Sequence, residues 1–178
     1  MFSAPEQIQT ERLTLRKPRG GDGKLVFERY ASDPEVRRFL LFPPPKGPED
    51  SEAFIIRCLK VWRDGSAFPY AIERREDGAF LGMVEIRMDG FRADIGYVIA
   101  REAWGQGYAS EAAKALVDWA LAQEQIYRVW AFCDVENKAS ARVMEKAGMQ
   151  FEGVMKRFAI HPNISPEPRD VLLYAKVK

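Results

Sequence analysis

The sequence predicts an α/β domain built on a mixed, mostly antiparallel sheet, and three observations lead there. Three runs of strand character, residues 68–74, 79–88 and 93–99, are separated only by the turn signatures Glu76-Asp77-Gly78 and Asp89-Gly90, which is the pattern of a meander. Segments with apolar residues at helical spacing stand on both sides of it, at 48–63, 107–123 and 138–147. The chain has 178 residues, 47% apolar and 30% charged, which suits one core and a single domain over residues 1–178.

Taken in order, Ile8, Leu13 and Leu15 alternate with Arg12, Thr14 and Arg16, so residues 7–17 read as one half-buried strand. Gly20, Gly21 and Gly23 break it, and Leu25, Val26, Phe27 and Tyr30 then fit a short helix with its apolar face inward. Asp33 before Pro34 marks a helix start, because the carboxylate caps free amides and proline has no amide to lose at the first helical position. The run Phe42-Pro43-Pro44-Pro45 must be loop. Ala53, Ile56, Leu59 and Val61 set a helix over 48–63, capped by Asp50 or Ser51 and stopped by Gly65.

Beyond the meander, a glycine-punctuated loop enters a helix over 107–123. Its Ala109, Ala112, Ala113, Leu116 and Ala120 share a face small enough to lie close on a sheet. A strand over 128–133, a helix over 138–147 stopped by Gly148, and strands over 149–158 and 170–176 complete about seven strands and about four helices.

Composition excludes several functions. Lys and Arg number 27 against 26 Asp and Glu, so no global field recruits nucleic acid or an anionic membrane, and any anion site must be local. No stretch has the length of apolar chain that a membrane span needs, and MFSAPEQIQTERLTLR carries charge where a signal peptide is apolar. A cytoplasmic protein is expected. Cys58 and Cys133 are the only cysteines and His161 the only histidine, which leaves no disulfide framework and no metal site to expect.

The most informative segment is Trp104-Gly105-Gln106-Gly107-Tyr108-Ala109-Ser110, where a strand runs through a glycine loop straight into a helix. Glycines let a ligand approach the backbone, several amides at the helix start lack partners, and the macrodipole adds partial positive charge. A diphosphate suits such a place. No Gly-Lys-Ser/Thr follows and no third glycine stands in frame, so it is neither a kinase-type phosphate loop nor a dinucleotide fingerprint. Spacing alone also fits a tight turn with no ligand.

At this point the chain resembles the GCN5-related N-acetyltransferase (GNAT) superfamily, and within it the RimJ/RimL-type branch. TERLTLR (10–16) looks like that branch's first strand, and DIGYVI (94–99) like its fourth. WGQGYASEA (104–112) is similar to its acyl-CoA pyrophosphate loop, and NKASARVMEKAGM (137–149) to its cofactor-side helix, with Glu152-Gly153 following. The resemblance spans most of residues 10–177. It departs from the wider family in carrying Trp104 where Arg or Gln is usual.

The resemblance implies a GNAT fold, a sheet of about seven strands flanked by about four helices, and acetyl-CoA as cosubstrate without a metal. It implies that Val98, Ile99 and Ala100 pair through their main chain with the pantetheine arm, one amide acting as an oxyanion donor. The diphosphate would lie on Trp104, Gly105, Gln106, Gly107, Tyr108, Ala109 and Ser110, with Asn137 on the pantetheine. Lys146, together with Arg101 and Arg142, would reach the nucleotide phosphates, against the alternative that each is an ordinary solvated charge. Asn137 and Ser140 also read as ordinary helix capping, a reading compatible with both roles. Ser140 matches the branch's proposed general acid for the departing thiol, a task that other members give to tyrosine.

The base is where the sequence departs most. Some relatives carry a carboxylate in the strand after Glu152-Gly153, and here residues 154–161 offer none, with Ala159 standing about where it would fall. Asp94 and Glu85 on neighbouring strands are the candidates, against the alternative that each is a solvated or ion-paired strand residue. His161 has a suitable pKa but precedes Pro162, and a lone loop histidine reads as a surface residue. Two proline-stiffened loops, 39–46 and 161–169, would flank the acceptor. Trp62, Trp119, Trp130 and Cys133 read as core.

The resemblance therefore implies an N-acetyltransferase moving acetyl to a primary amine, a protein N-terminal α-amine or a small molecule, by direct transfer in a ternary complex. The alternatives are a non-catalytic acyl-CoA-binding module on the same fold and a regulatory nucleotide-binding domain. Monomer and homodimer are not distinguished by sequence.

Overall fold

A computed structural model describes residues 2–178 and forms one eight-stranded sheet in the order β1-β2-β3-β4-β5-β6-β8-β7. The strands are β1 (Gln7–Gln9), β2 (Leu13–Arg16), β3 (Ala67–Arg74), β4 (Phe80–Asp89), β5 (Arg92–Ile99), β6 (Arg128–Asp134), β7 (Gln150–Ile160) and β8 (Pro168–Val177). Five α-helices, α1 (Asp22–Val26), α2 (Pro34–Arg37), α3 (Pro48–Asp64), α4 (Tyr108–Ala122) and α5 (Lys138–Lys146), accompany a π-helical turn, Phe27–Ala31, and a 3₁₀ turn, Arg101–Ala103. Every strand pair is antiparallel except β5 with β6.

The eighth strand corrects the sequence expectation of one strand over 7–17. Those residues fold as a hairpin, with Ile8 opposite Leu15. Its turn closes because the Thr10 hydroxyl accepts the Leu13 amide at 3.0 Å and the Thr10 amide donates to the Leu13 carbonyl at 2.9 Å. Alternation cannot reveal this, since both arms of a hairpin keep the same period of two. The cap of α3 is also corrected. Gly47 precedes Pro48 at the helix start, and the Asp50 carboxylate accepts from the Lys46 amide instead.

The other helix signals act as expected. The Asp33 carboxylate accepts the Glu35 amide at 2.9 Å, and Asn137 Oδ1 accepts the Ser140 amide at 3.1 Å. Gly65 (φ +68°) and Gly148 (φ +86°) end α3 and α5 in the left-handed region. No helix among the described residues is long and apolar enough to cross a membrane.

The core lies on both faces of the sheet. One face carries Phe68, Tyr70, Ile72, Val84, Ile86 and Ile95, which pack with Ala112, Ala113, Leu116 and Ala120 of α4, all within 4% of full burial. The opposite face carries Ala71, Met83 and Val98, which meet Val26 of α1, Tyr30 of the π-helical turn, and Ile55 and Cys58 of α3. Trp62 is core as expected, edge-on to Phe68 and Tyr70 with ring centroids 5.4 and 4.8 Å apart. β4 and β5 approach so closely at Gly82 that a Cβ there would lie 2.1 Å from the Val98 carbonyl oxygen.

Candidate active site

The sheet opens between β5 and β6. Their ladder pairs only Arg92 to Asp94 with Arg128 to Trp130, after which the two strands separate. The Ala100 amide donates to the Leu81 carbonyl at 2.8 Å, and this sets the phase of the β4–β5 ladder. Antiparallel pairs alternate, so Val98 and Gly96 spend their main-chain groups on β4, while Tyr97 and Ile99 turn theirs toward the gap. The Ile99 carbonyl accepts the Trp104 indole Nε1–H at 2.8 Å. The Tyr97 amide and carbonyl and the Ile99 amide remain facing the opening.

A cavity of about 940 Å³ runs through this opening and is lined from both sheet faces. On one side stand Ile99, Trp104, Gly105, Gly107, Tyr108, Ala109, Ser110, Asn137, Ser140 and Lys146, so most of the residues expected on the cofactor meet there, while Val98 turns its side chain to the other sheet face. Glu85 and Asp94, the candidate bases, line the other side. Two expected cofactor residues lie off the cavity. Ala100 is fully buried with its amide bound to Leu81, and Gln106 turns its carbonyl to Arg12 Nη1 at 2.9 Å and its side chain to the Glu102 carbonyl at 2.9 Å. Arg101 also misses it and pairs with Asp33.

The glycine loop is held by the first hairpin. Glu111 accepts from the Thr10 hydroxyl at 2.6 Å, the Arg12 amide at 2.8 Å and Arg12 Nε at 2.8 Å, while the Arg12 guanidinium lies 4.6 Å from the Tyr108 ring centre. Gly107 precedes α4 at φ +83° and no side chain caps the helix start. The first-turn amides of α4 therefore have no partner within the helix. A side chain at Gly107 would be strained and would meet Arg12 Nη2 at 3.4 Å.

Burial pulls the Glu111 carboxyl upward, but its bonds to Thr10 and Arg12 outweigh that and hold it below the usual glutamate range. A depressed folded value stabilises the fold fully above the unfolded value of about 4.3, and this share is lost as pH falls through the folded value. Glu111→Gln is expected to lose less stability than the parent between pH 6 and 3 in thermal melts, while starting lower at pH 6.

Ser140 sits in the first turn of α5 against Tyr97, which no motif in the sequence marks as a site residue. The Tyr97 hydroxyl donates to the Ser140 carbonyl at 3.0 Å and lies 2.8 Å from Ser140 Oγ. Burial pushes the phenol up, against a smaller opposing effect of Ser140, so it stays protonated at neutral pH. Cys133, also on the cavity wall, is pushed up to about 11 by burial and is a neutral thiol at neutral pH.

Across the sheet, Arg87 joins the two candidate bases. Its Nη1 donates to Glu85 at 3.1 Å, and its Nε donates to Asp94 at 2.7 Å, with Nη2 on the same Asp94 oxygen. Burial raises the Glu85 carboxyl, Arg87 opposes, and the Asp94 charge adds to the rise. His161 corrects the expectation of a surface residue. It is 2% exposed, its Nδ1 donates to the Phe39 carbonyl at 3.0 Å, and its Nε2, 3.9 Å from Asp134, has no hydrogen-bond partner.

Comparison with known proteins fits this geometry. Residues 12–150 match the family model described as an acetyltransferase (GNAT) domain. The uncharacterized N-acetyltransferase p20 of Bacillus licheniformis is 30% identical over 156 residues, covering 86% of this chain and 87% of that protein. A crystal structure of a GNAT-family acetyltransferase from Bacillus anthracis superposes with a TM-score of 0.83 at 29% identity, covering 96% of this chain and 98% of that one. The microcin C7 self-immunity acetyltransferase MccE, solved with acetyl-CoA and AMP, shares the fold at a TM-score of 0.85 and 22% identity, covering 98% of both chains.

Proposed function

The chain belongs to the GNAT acetyltransferase family and is an N-acetyltransferase, and from this we propose that it takes acetyl from acetyl-CoA and passes it directly to a primary amine in one ternary complex. The observation that carries the proposal is the single cavity shared by the uncapped start of α4, the unpaired main chain of β5 and Ser140. Gly105 and Gly107, both at positive φ, leave the backbone bare for a diphosphate to approach. The donor would supply a thioester, already activated toward amines. The chain's own groups bind and orient it, and manage protons.

In this reading the amides of residues 105–110 hold the diphosphate, and Arg142 and Lys146 approach the nucleotide phosphates. Tyr97 and Ile99, rather than Val98 and Ala100, pair with the pantetheine arm, because theirs are the main-chain groups turned to the gap. The Ile99 or Tyr97 amide polarises the acetyl carbonyl. Ser140 gives its hydroxyl proton to the departing sulfur, with Tyr97 beside it as a second donor. On the opposite face Glu85, whose carboxyl pKa is raised by burial, receives the proton that the attacking amine releases. We assign the chain to the RimJ/RimL-type branch on its motif order, with cytoplasmic location and protein N-terminal α-amines among its acceptor classes.

Thermal unfolding with ligands tests the core of this. At about 100 times its dissociation constant, acetyl-CoA should add about 2.7 kcal/mol of stability, and ATP and NAD should add none at equal concentration. Free CoA should then appear when a primary amine is supplied. No stabilisation by acetyl-CoA would overturn the proposal. Stabilisation without CoA release from any amine would point to a binding module instead.

A further inference from the structure

The half of the cavity away from α4 has an apolar rim and a charged floor. Phe39, Leu40, Leu41 and Phe42, between α2 and α3, form the rim, and Leu41 and Phe42 keep 51% and 45% of their surface exposed. Glu85, Arg87 and Asp94 form the floor on one sheet face, where Glu85 stands opposite Gly96 and Arg87 opposite Asp94. Gly96 leaves the space above them clear, since a Cβ there would only just touch the Arg87 guanidinium, at 3.5 Å.

Charge decides what this space accepts. Arg87 is shared by two carboxylates, so the floor carries one negative charge in excess when both are ionised. The neighbouring cluster is balanced, because Asp134 and Glu136 are matched by Arg169 and Arg38. Glu35, the remaining carboxylate on the wall, is exposed to water, so a charge brought to it keeps its hydration. One ammonium finds a counter-charge below, and residues 39–42 above offer only apolar side chains, with the cation Arg38 next to them. A second ammonium lying along that rim would give up water on its apolar side with no counter-charge among residues 39–42 to replace it.

Resting on the acetyl-transfer reading of this site, we infer that the acceptor is a primary amine with a single positive charge carried directly on an apolar group. The ammonium lies over Glu85, Arg87 and Asp94, and the apolar body along residues 39–42. An arylalkylamine and a peptide with an apolar first residue share this chemistry, and separate arms of the experiment distinguish them.

The test follows CoA release by the full-length protein with acetyl-CoA and matched acceptors. Hexylamine and 1,6-diaminohexane differ by one ammonium, and kcat/KM should favour hexylamine by about 10-fold or more. Among tetrapeptides, one starting with Phe should exceed one starting with Asp by a similar factor, and the faster of this peptide and 2-phenylethylamine identifies the source. Phe42→Glu supplies the missing counter-charge and should bring the diamine level with or above hexylamine, with the KM for acetyl-CoA unchanged. Leu41→Glu repeats the test at a second exposed site. A parent protein that prefers 1,6-diaminohexane or spermidine overturns this inference and leaves the transferase reading standing. No CoA release with any amine overturns both.

Discussion

Ser140→Ala is expected to lower kcat by about 10²- to 10⁴-fold, the usual worth of general acid catalysis, with little change in the KM for acetyl-CoA. A thiol of pKa about 8.5 is already a fair leaving group, which places the expected loss toward the lower end of that range. The fold should tolerate the change, because Asn137 caps the Ser140 amide, which alanine keeps, and alanine is the better helix former. Tyr97 makes the experiment decisive. Its hydroxyl already donates to the Ser140 carbonyl and touches Ser140 Oγ, so it can orient the serine or replace it as donor. If Ser140 is the acid, Tyr97→Phe costs less than Ser140→Ala. If Tyr97 is the acid, the order inverts and Ser140→Ala becomes mild. Stopped-flow thiol release under single turnover separates the two, since it reads the transfer step apart from product release.

Which parts of this site could be read from the sequence follows from how local the determining interactions are. The glycine loop, the Asn137 cap and the helix faces are set by residues within one turn of each other, and the sequence displays them directly. Asp33 before Pro34 and Gly148 after α5 are of the same kind. The hairpin at β1 and β2 stayed hidden because alternation continues through its turn, and the turn is locked from elsewhere, by Glu111 of α4 about a hundred positions along the chain. Which β5 groups face the gap depends on ladder phase, and that is fixed by Leu81 receiving the Ala100 amide. A motif resemblance names the strand but not the phase, so it points to Val98 and Ala100 where the ladder turns the main chain of Tyr97 to the gap. His161 reads as a surface residue in sequence because it stands alone in a loop before proline. Its burial comes from the Phe39 carbonyl and from Asn163, which donates to the Arg37 and Phe42 carbonyls and binds the two loops together. Tyr97 itself carried one readable signal, a tyrosine one residue after Gly96 in a strand where its neighbours are aliphatic.

Ser110→Asp should raise the KM for acetyl-CoA by about 10- to 100-fold, or about 1.4 to 2.7 kcal/mol, and leave thermal stability equal or slightly higher. Ser110 is the third residue of α4 and lines the cavity. A carboxylate in the first turn of a helix is favoured by the macrodipole by about 0.3 to 1 kcal/mol, so the protein itself gains from the change. A bound diphosphate at the same amides would meet that carboxylate at short range. Two unit charges about 4 Å apart repel by about 4 kcal/mol at an effective dielectric near 20, and water at the open loop reduces this to the range expected. Opposite signs for fold and ligand are the diagnostic, because general damage to the loop would lower both. Ser110→Asn, similar in size and uncharged, should leave the KM near that of the parent. Raising the salt from 50 to 500 mM should shrink the Asp penalty and hardly move the Asn variant. An Asp variant that binds acetyl-CoA as tightly as the parent would show that the diphosphate does not rest on the start of α4, whatever the loop's sequence suggests.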